Sequence, residues 1–253
     1  MAPFSTPAIL IRRLDYGDHD VIATFFSLAL GKVALIAKGA KKSRRRFGGV
    51  LELFSEVDIT GRPPRRAGLA VLQEAVLKAP FAAIRTAASR TAYASYWAEL
   101  VGSWMEEQVA HPEVFALLRH VLNELDRGAA PAAALSVLFQ MRFLSLSGHG
   151  PNLRECAFCR RAVDDLPQRE LRVELERGGL ACPACAGDRG EAPRIAKGTV
   201  KQLQWVAAGG LEQAARMRFT PQALRESLAF LESFVPFHLG REPRSLRVLR
   251  QLR

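Results

Sequence analysis

The sequence predicts a multidomain α+β chain, an all-β segment first and an α-helical segment after it. Three observations carry that prediction. Five short apolar runs separated by turn residues fill about the first 80 residues. From about residue 81 onward, apolar residues recur every three or four positions, the period of a helix with one buried face. That helical pattern is interrupted once, between about 151 and 194, by a segment that holds all four cysteines of the 253-residue chain.

The apolar runs are Ala8–Ile11, Asp20–Phe26, Lys32–Ala37, Val50–Thr60 and Leu69–Leu77. Asp15-Tyr16-Gly17-Asp18 and Gly31-Lys32 are turn-like breaks between the first three. In the fourth, Leu51 and Leu53, then Val57 and Ile59, give the partial alternation of a half-buried strand. Five short strands without intervening helices suggest a small closed barrel. The OB-fold is a five-stranded barrel of this kind and binds oligonucleotides. Residues 1–80 are therefore read as an OB-fold nucleic-acid-binding domain, and 81–253 as an α-helical domain.

Between the third and fourth runs lies Lys38-Gly39-Ala40-Lys41-Lys42-Ser43-Arg44-Arg45-Arg46-Phe47-Gly48-Gly49, with six positive charges and no acid. A solvated loop is the plain reading, and the glycines at both ends suit a mobile one. Six like charges repel one another, however, and a polyanion relieves that repulsion. Lys38, Lys41, Lys42, Arg44, Arg45 and Arg46 are thus candidate phosphate contacts. Arg62, Arg65 and Arg66, in the turn before the fifth run, extend the set if both loops converge on one rim of the barrel.

Tyr93, Tyr96, Trp97, Leu100, Val101, Trp104 and Met105 mark the first helix. Such an aromatic stripe is a core face far more often than a platform for bases. Val114, Leu117, Leu118, Val121, Leu122 and Leu125 mark the second. Pro131 suits the first turn of a third, with Leu135, Leu138, Met141, Leu144 and Leu146. After residue 194, Val200, Leu203 and Trp205 mark another helix. Thr220-Pro221 reads as an N-cap followed by proline at the first helical position. Leu224, Leu228, Leu231, Phe234 and Val235 form its stripe. At the C-terminus Leu246 and Leu249 would dock a last helix, with Arg244, Arg247 and Arg250 solvated or, secondarily, on nucleic acid.

The cysteines form two CxxC pairs, Cys156/Cys159 and Cys182/Cys185, separated by 22 residues. Two intervening residues let a tight turn aim both sulfurs at one centre, and two such turns make a tetrahedral four-thiolate site for Zn2+. With four protein ligands no position remains for water, so the zinc is expected to be structural, one ion per chain. Disulfides would need an oxidising compartment, and the N-terminus shows no signal-peptide pattern. His149 is read as a loop histidine rather than a fifth ligand. Helices on both sides make 151–194 an insert in the helical domain.

Lys plus Arg number 36 against 25 Asp plus Glu, a net charge of +11, which favours nucleic acid first among partners. No run of about 18 uncharged apolar residues occurs, so no membrane span or membrane partner is expected. A cytoplasmic location follows as the default. Phosphate-loop, HExxH and GxSxG motifs are missing. The adjacent acids Glu106-Glu107 and Asp164-Asp165 fit a solvated surface, and the histidines (His19, His111, His120, His149, His238) are scattered. No catalytic residue is assigned. Two rival readings are an RNA-binding or transcription-associated zinc-ribbon protein and a metal-dependent nuclease built from dispersed carboxylates.

Several stretches together resemble one family. Leu14-Asp15-Tyr16-Gly17-Asp18-His19-Asp20, Gly31-Lys32, Ala37-Lys38-Gly39-Ala40-Lys41-Lys42, Ser43–Phe47, Leu51 and Leu53-Phe54 are similar to the N-terminal barrel of the bacterial RecO family. Phe139-Gln140-Met141-Arg142-Phe143-Leu144, then Gly148, Pro151, Leu153, Cys156 and Cys159, resemble the helix that leads into that family's zinc site. Gly178-Gly179-Leu180 before Cys182-Pro183-Ala184-Cys185 fits as well. Arg160 departs from the pattern, standing where members often have glycine, and is expected to alter the turn but not the metal site. The resemblance spans nearly the whole chain. It implies a non-enzymatic mediator of DNA repair and homologous recombination that binds single- and double-stranded DNA and anneals complementary strands without ATP. It further implies work with RecR, contact with the C-terminal tail of single-stranded DNA-binding protein (SSB), and help in loading RecA.

Overall fold

The computed structural model describes residues 3–64, 68–186 and 192–253, with the side chains of Arg44 and Arg45 left out. The chain forms two compact units: residues up to Arg127 together with Leu252–Arg253, and Gly128–Gln251.

In the first unit β1 (Phe4–Tyr16), β2 (Asp20–Ser27) and β3 (Gly31–Ala37) form an antiparallel meander. The short helix α1 (Arg44–Phe47) and the hairpin of β4 (Glu56–Arg62) and β5 (Ala70–Ala79) follow. The strand order β1-β2-β3-β5-β4 closes back on β1, with only β3 and β5 parallel. This is the expected five-stranded barrel. Alternation decides which side chains enter it: Val33, Leu35 and Ala37 of β3 are buried while Lys32, Ala34 and Ile36 face outward. Leu10, Phe25, Leu35, Val57, Ile59 and Leu72 fill the interior, and Phe47 and Leu51 enter it from the β3–β4 connection.

The fourth strand begins later than its sequence pattern predicts. Val50–Ser55 is a turn segment, not strand. Leu51 is buried within the barrel cluster, Phe54 is buried outside it, and Leu53 is exposed. Phe54 sits at φ 72°, donating its N–H to Leu10 O at 2.8 Å, and Leu10 N–H donates to Ser55 O at 3.1 Å. Apolar spacing there reflects the sealing of the barrel end, which mimics strand alternation.

The helices α2 (Ala82–Arg85), α3 (Ala88–Trp104) and α4 (Pro112–Arg127) complete this unit. Tyr96, Trp97, Leu100 and Val101 of α3 are fully buried, so the aromatic stripe is core. Asp126 of α4 accepts from the N–H groups of Ala83 and Ile84, a remote cap for α2. Gly31 has φ +61°, and an added Cβ would lie 1.8 Å from Val109 O, so only glycine fits there.

The second unit is centred on α5 (Ala132–Leu146), apolar nearly all round, with Leu135, Leu138, Phe139, Met141 and Leu144 buried. Pro131 is the N-cap rather than the first helical residue, and Leu146 is exposed. Then come β6 (Asn152–Cys156), a 3-10 turn at Val163–Asp165, β7 (Glu170–Glu174), β8 (Gly179–Ala181), α6 (Pro183–Ala186) and β9 (Arg194–Ala196). They make a four-stranded sheet, ordered β6-β8-β7-β9, that the sequence had read only as an insert. The helices α7 (Lys197–Ala208), α8 (Leu211–Ala215), α9 (Pro221–Leu239) and α10 (Arg244–Gln251) follow. In α7 the buried face is Val200, Leu203 and Val206, and Trp205 is 43 % exposed, one position off the expected stripe. Thr220 caps α9 as expected, its hydroxyl accepting from Ala223 N–H at 3.1 Å. Leu246 and Leu249 of α10 are fully buried.

Candidate metal centre and basic barrel face

All four cysteines come together. Cys156 ends β6, and the turn behind it is closed by Arg160 N–H on Cys156 O and by Cys156 N–H on Arg161 O. The second knuckle is the start of α6, where Cys185 and Ala186 N–H both donate to Cys182 O at 2.9 Å. Ala157 N–H to Leu180 O (2.7 Å) and Cys182 N–H to Cys156 Sγ (3.4 Å) lock the knuckles together. The four Sγ atoms lie within 4.8 Å of one another, and Cys159 Sγ is 3.9 Å from Cys182 Sγ. Tetrahedral thiolates at a Zn–S distance of about 2.3 Å sit about 3.8 Å apart, so the donor set fits a zinc-type ion. All four are free cysteines.

Burial pushes the Cys156 thiol up, but N–H donation from Cys182, Cys159 and Phe158 outweighs it and brings it to about 6. Hydrogen bonding to Cys182, burial and the neighbouring Cys159 and Cys156 push Cys185 up to about 12. The Cys156 thiolate forms readily while Cys185 resists adding a second negative charge beside it, which a divalent cation would compensate. Arg160 adopts φ 62°, the left-handed conformation that glycine takes without strain. Its guanidinium is paired to Glu155.

The basic connection is fastened to the barrel. Gly39 N–H donates to Asp20 Oδ1 (2.8 Å), and Lys41 N–H donates to His19 O (3.0 Å). Lys41 Nζ reaches Gly17 O at 3.1 Å and Asp15 at 3.4 Å. The Arg46 guanidinium donates to Lys38 O and lies 5.0 Å above the Phe47 ring, which is buried. Lys38 and Lys42 are exposed. Arg65 and Arg66 lie outside the described residues, as do the side chains of Arg44 and Arg45.

Lys38 and Arg62, from the two basic loops, line one groove of about 720 Å3 on the outside of the barrel. Its floor is apolar. Ile22, Ile36 and Val71 are aligned by register across β2, β3 and β5, and Arg62 is the partner of Val71 in β4. Tyr16, 54 % exposed, and Leu69 border it. Sequence reasoning missed this floor. The signal was there in outward positions, Ile22 and Ile36, that carry isoleucine where a solvated barrel face carries polar residues.

Arg247 and Arg250 of α10 face acids instead: Arg247 pairs with Glu242 at 3.8 Å, and Arg250 with both Glu232 and Glu242. His149 is exposed in its loop, its Nδ1 at 2.8 Å from Ser147 O. Among the described residues, the cysteines are the metal-ligating side chains that converge in a group of three or more. No helix is long and apolar enough to cross a membrane.

A closed five-stranded barrel, followed by helices and a four-thiol knuckle that could hold a metal ion, defines a two-part barrel-and-helix protein. Residues 1–81 match the model of the recombination protein O N terminal domain, and 85–247 the model of its C terminal domain. The chain belongs to the RecO family of DNA repair proteins. It is 42 % identical to the DNA repair protein RecO of Desulfatibacillum aliphaticivorans over 254 residues, 100 % of this chain and 98 % of that one. The RecO protein of Desulfosudis oleivorans is 42 % identical over 258 residues, covering 100 % and 99 %. That of Anaeromyxobacter sp. strain K is 34 % identical over 244 residues, covering 96 % and 94 %.

Proposed function

We propose that this chain is a non-catalytic mediator of homologous recombination that binds single- and double-stranded DNA and anneals complementary strands without ATP. With RecR it helps load RecA onto single strands coated with SSB, whose C-terminal tail it contacts. Residues 1–80 are the DNA-binding domain. Residues 81–253 are the helical domain, braced by one structural Zn2+ on Cys156, Cys159, Cys182 and Cys185 within the insert at about 151–194. The protein works in the cytoplasm.

The observation that carries this reading is the groove between Lys38 and Arg62. The two cations share one groove with an apolar floor, a combination suited to a strand whose phosphates meet the cations and whose bases meet the floor. Lys41, Lys42 and Arg46, with the charges that the sequence adds at Arg44, Arg45, Arg65 and Arg66, are the further phosphate contacts of this reading. Neutralising phosphates on two strands lowers the repulsion that slows their pairing.

The test is an annealing assay on complementary strands, bare and SSB-coated, without ATP. The wild-type chain is expected to accelerate annealing in both. Charge reversal in the loop (Lys41→Glu, Lys42→Glu, Arg46→Glu) is expected to abolish the acceleration and weaken single-strand binding. Unchanged single-strand binding by that variant at low salt would defeat the barrel mechanism, and strand cleavage on adding Mg2+ would favour a nuclease.

A further inference from the structure

One side chain of the barrel groove is explained neither by core packing nor by phosphate contact. Tyr16 ends β1 opposite Asp20 of β2, and it borders the groove together with Ile22, Ile36, Lys38 and Arg62. Phe25, Phe26, Phe47 and Phe54 of the same unit are buried, whereas Tyr16 is 54 % exposed. An aromatic ring stabilises a fold chiefly through the area it buries, and this ring buries less than half of its surface. Among the described residues, no hydrogen bond, ring contact or cation engages the Tyr16 side chain.

The backbone that carries the ring is nevertheless fixed in place. The turn after Tyr16 is bonded to the basic connection at three points. Lys41 N–H donates to His19 O (3.0 Å), Lys41 Nζ to Gly17 O (3.1 Å), and Gly39 N–H to Asp20 Oδ1 (2.8 Å). The hairpin end that bears the ring and the loop that bears Lys38 therefore form one braced corner.

An aromatic side chain beside an apolar floor and a fixed cation suits an unpaired base whose phosphate sits on that cation. Every base has a π-face, so such stacking tolerates any sequence. Inside a duplex each base is already stacked between its neighbours, which leaves no face for the ring. We infer that Tyr16 is the base-stacking residue of the groove and that it makes the groove favour an unpaired strand over a duplex. The inference rests on the reading that the groove binds nucleic acid, and it adds which state of the strand is held. Stacking on Tyr16 is lost as pairing completes, so the groove retains an unpaired strand and releases the annealed product.

The experiment compares binding of a labelled oligothymidylate and of a duplex of equal length to the full-length protein over a range of salt. Stacking of one base is worth about tenfold in affinity. Tyr16→Leu is expected to weaken oligothymidylate binding by about that factor. It should leave duplex binding and the slope of log affinity against log salt unchanged, because no phosphate contact is removed. Tyr16→Phe keeps the ring and is expected to bind as wild type does. Loop charge reversal (Lys41→Glu, Lys42→Glu, Arg46→Glu) is measured in parallel. A lowered slope for the loop variant with unchanged affinity for Tyr16→Leu overturns the stacking role and leaves the barrel reading intact. The expected loss in Tyr16→Leu with an unchanged slope for the loop variant upholds the ring and removes the loop from that reading. Unchanged binding by both variants removes both. Equal losses of single-strand and duplex affinity in Tyr16→Leu, or a loss in Tyr16→Phe as large as in Tyr16→Leu, overturn the proposal. Should Tyr16→Leu fail to fold, irradiation of the wild-type chain with an oligonucleotide carrying 5-iodouracil decides. A crosslink at Tyr16 upholds the stacking role, and crosslinks that all lie elsewhere overturn it.

Discussion

Phe47 is the residue that turns a string of charges into a placed surface. It follows three arginines, yet its ring lies in the barrel interior beside Leu51. Arg46 covers the ring and donates to Lys38 O, so the two ends of the basic connection are tied to one side chain. Phe47→Ala would open a cavity in a closed barrel, and such truncations cost about 3–5 kcal/mol. A urea unfolding midpoint well below wild type is the expected result, together with weaker oligonucleotide binding in the fraction still folded. Lys42→Ala, at an exposed position, should leave the midpoint within error and weaken binding alone. An unchanged midpoint for Phe47→Ala would mean that the loop is not anchored through this ring. The sequence expectation of a mobile loop missed the anchor because one aromatic among charges and glycines has no period to reveal its direction. Arg160 is held at positive φ within a turn closed by backbone hydrogen bonds around Cys156, which its residue type alone does not reveal.

Among the elements, the cysteine sheet depends most on something other than its own packing. β8 and β9 have three residues each, and β6 and β7 five, lengths at which strands are marginal without outside support. A four-thiolate zinc site contributes about 10–16 kcal/mol of apparent free energy in small domains. Chelation is therefore expected to release amide protection in β6–β9 while barrel amides stay protected, as read by hydrogen exchange. Serine at Cys156, Cys159, Cys182 or Cys185 should lower stability and solubility first. Variants that folded normally yet lost DNA binding would give the metal a direct role. The same sheet joins α9 through Glu226, which accepts from Ala196 N–H and the Thr199 hydroxyl. Burial works against the Glu226 charge, but these bonds and one from Gln222 hold its carboxyl below the usual range. A depressed carboxylate stabilises above its unfolded-state pKa, and that stability is lost as pH falls through the folded value. Glu226→Gln should therefore reduce thermal stability at neutral pH and flatten its decline in the acid range; an unaltered pH profile would remove this role. The cysteine spacing was legible because metal geometry dictates it, and the long helices because many turns repeat one face. Three-residue strands repeat nothing, and Val50–Ser55 copied strand alternation while plugging the barrel end.

For the molecule as a whole, the proposed contact with DNA would be set by charge. The net charge of +11 is spent unevenly. Arg247 and Arg250 are occupied by Glu242 and Glu232, and Lys78 by Asp58 at 2.8 Å. Lys38 and Lys42 are exposed on the loop, and Arg62, which lines the groove with Lys38, is exposed at the end of β4. The basic loops were legible as charge runs without acids; the groove between them was not, because only the closing of β3 on β5 brings Ile36 beside Val71. If these loops carry the interaction, it has the thermodynamics of counterion release rather than of net charge. Six to ten phosphate contacts lose roughly 10^3–10^5 in affinity between about 50 and 200 mM salt. Annealing in the absence of ATP should fall over the same range. Reversing charges at the C-terminal helix, which changes net charge equally, should barely alter the slope, whereas reversing them in the loop should lower it by about 0.7 for each contact removed on a single strand. Measured side by side at matched net charge, equal slopes for the two variants would show that binding follows total charge and not the groove.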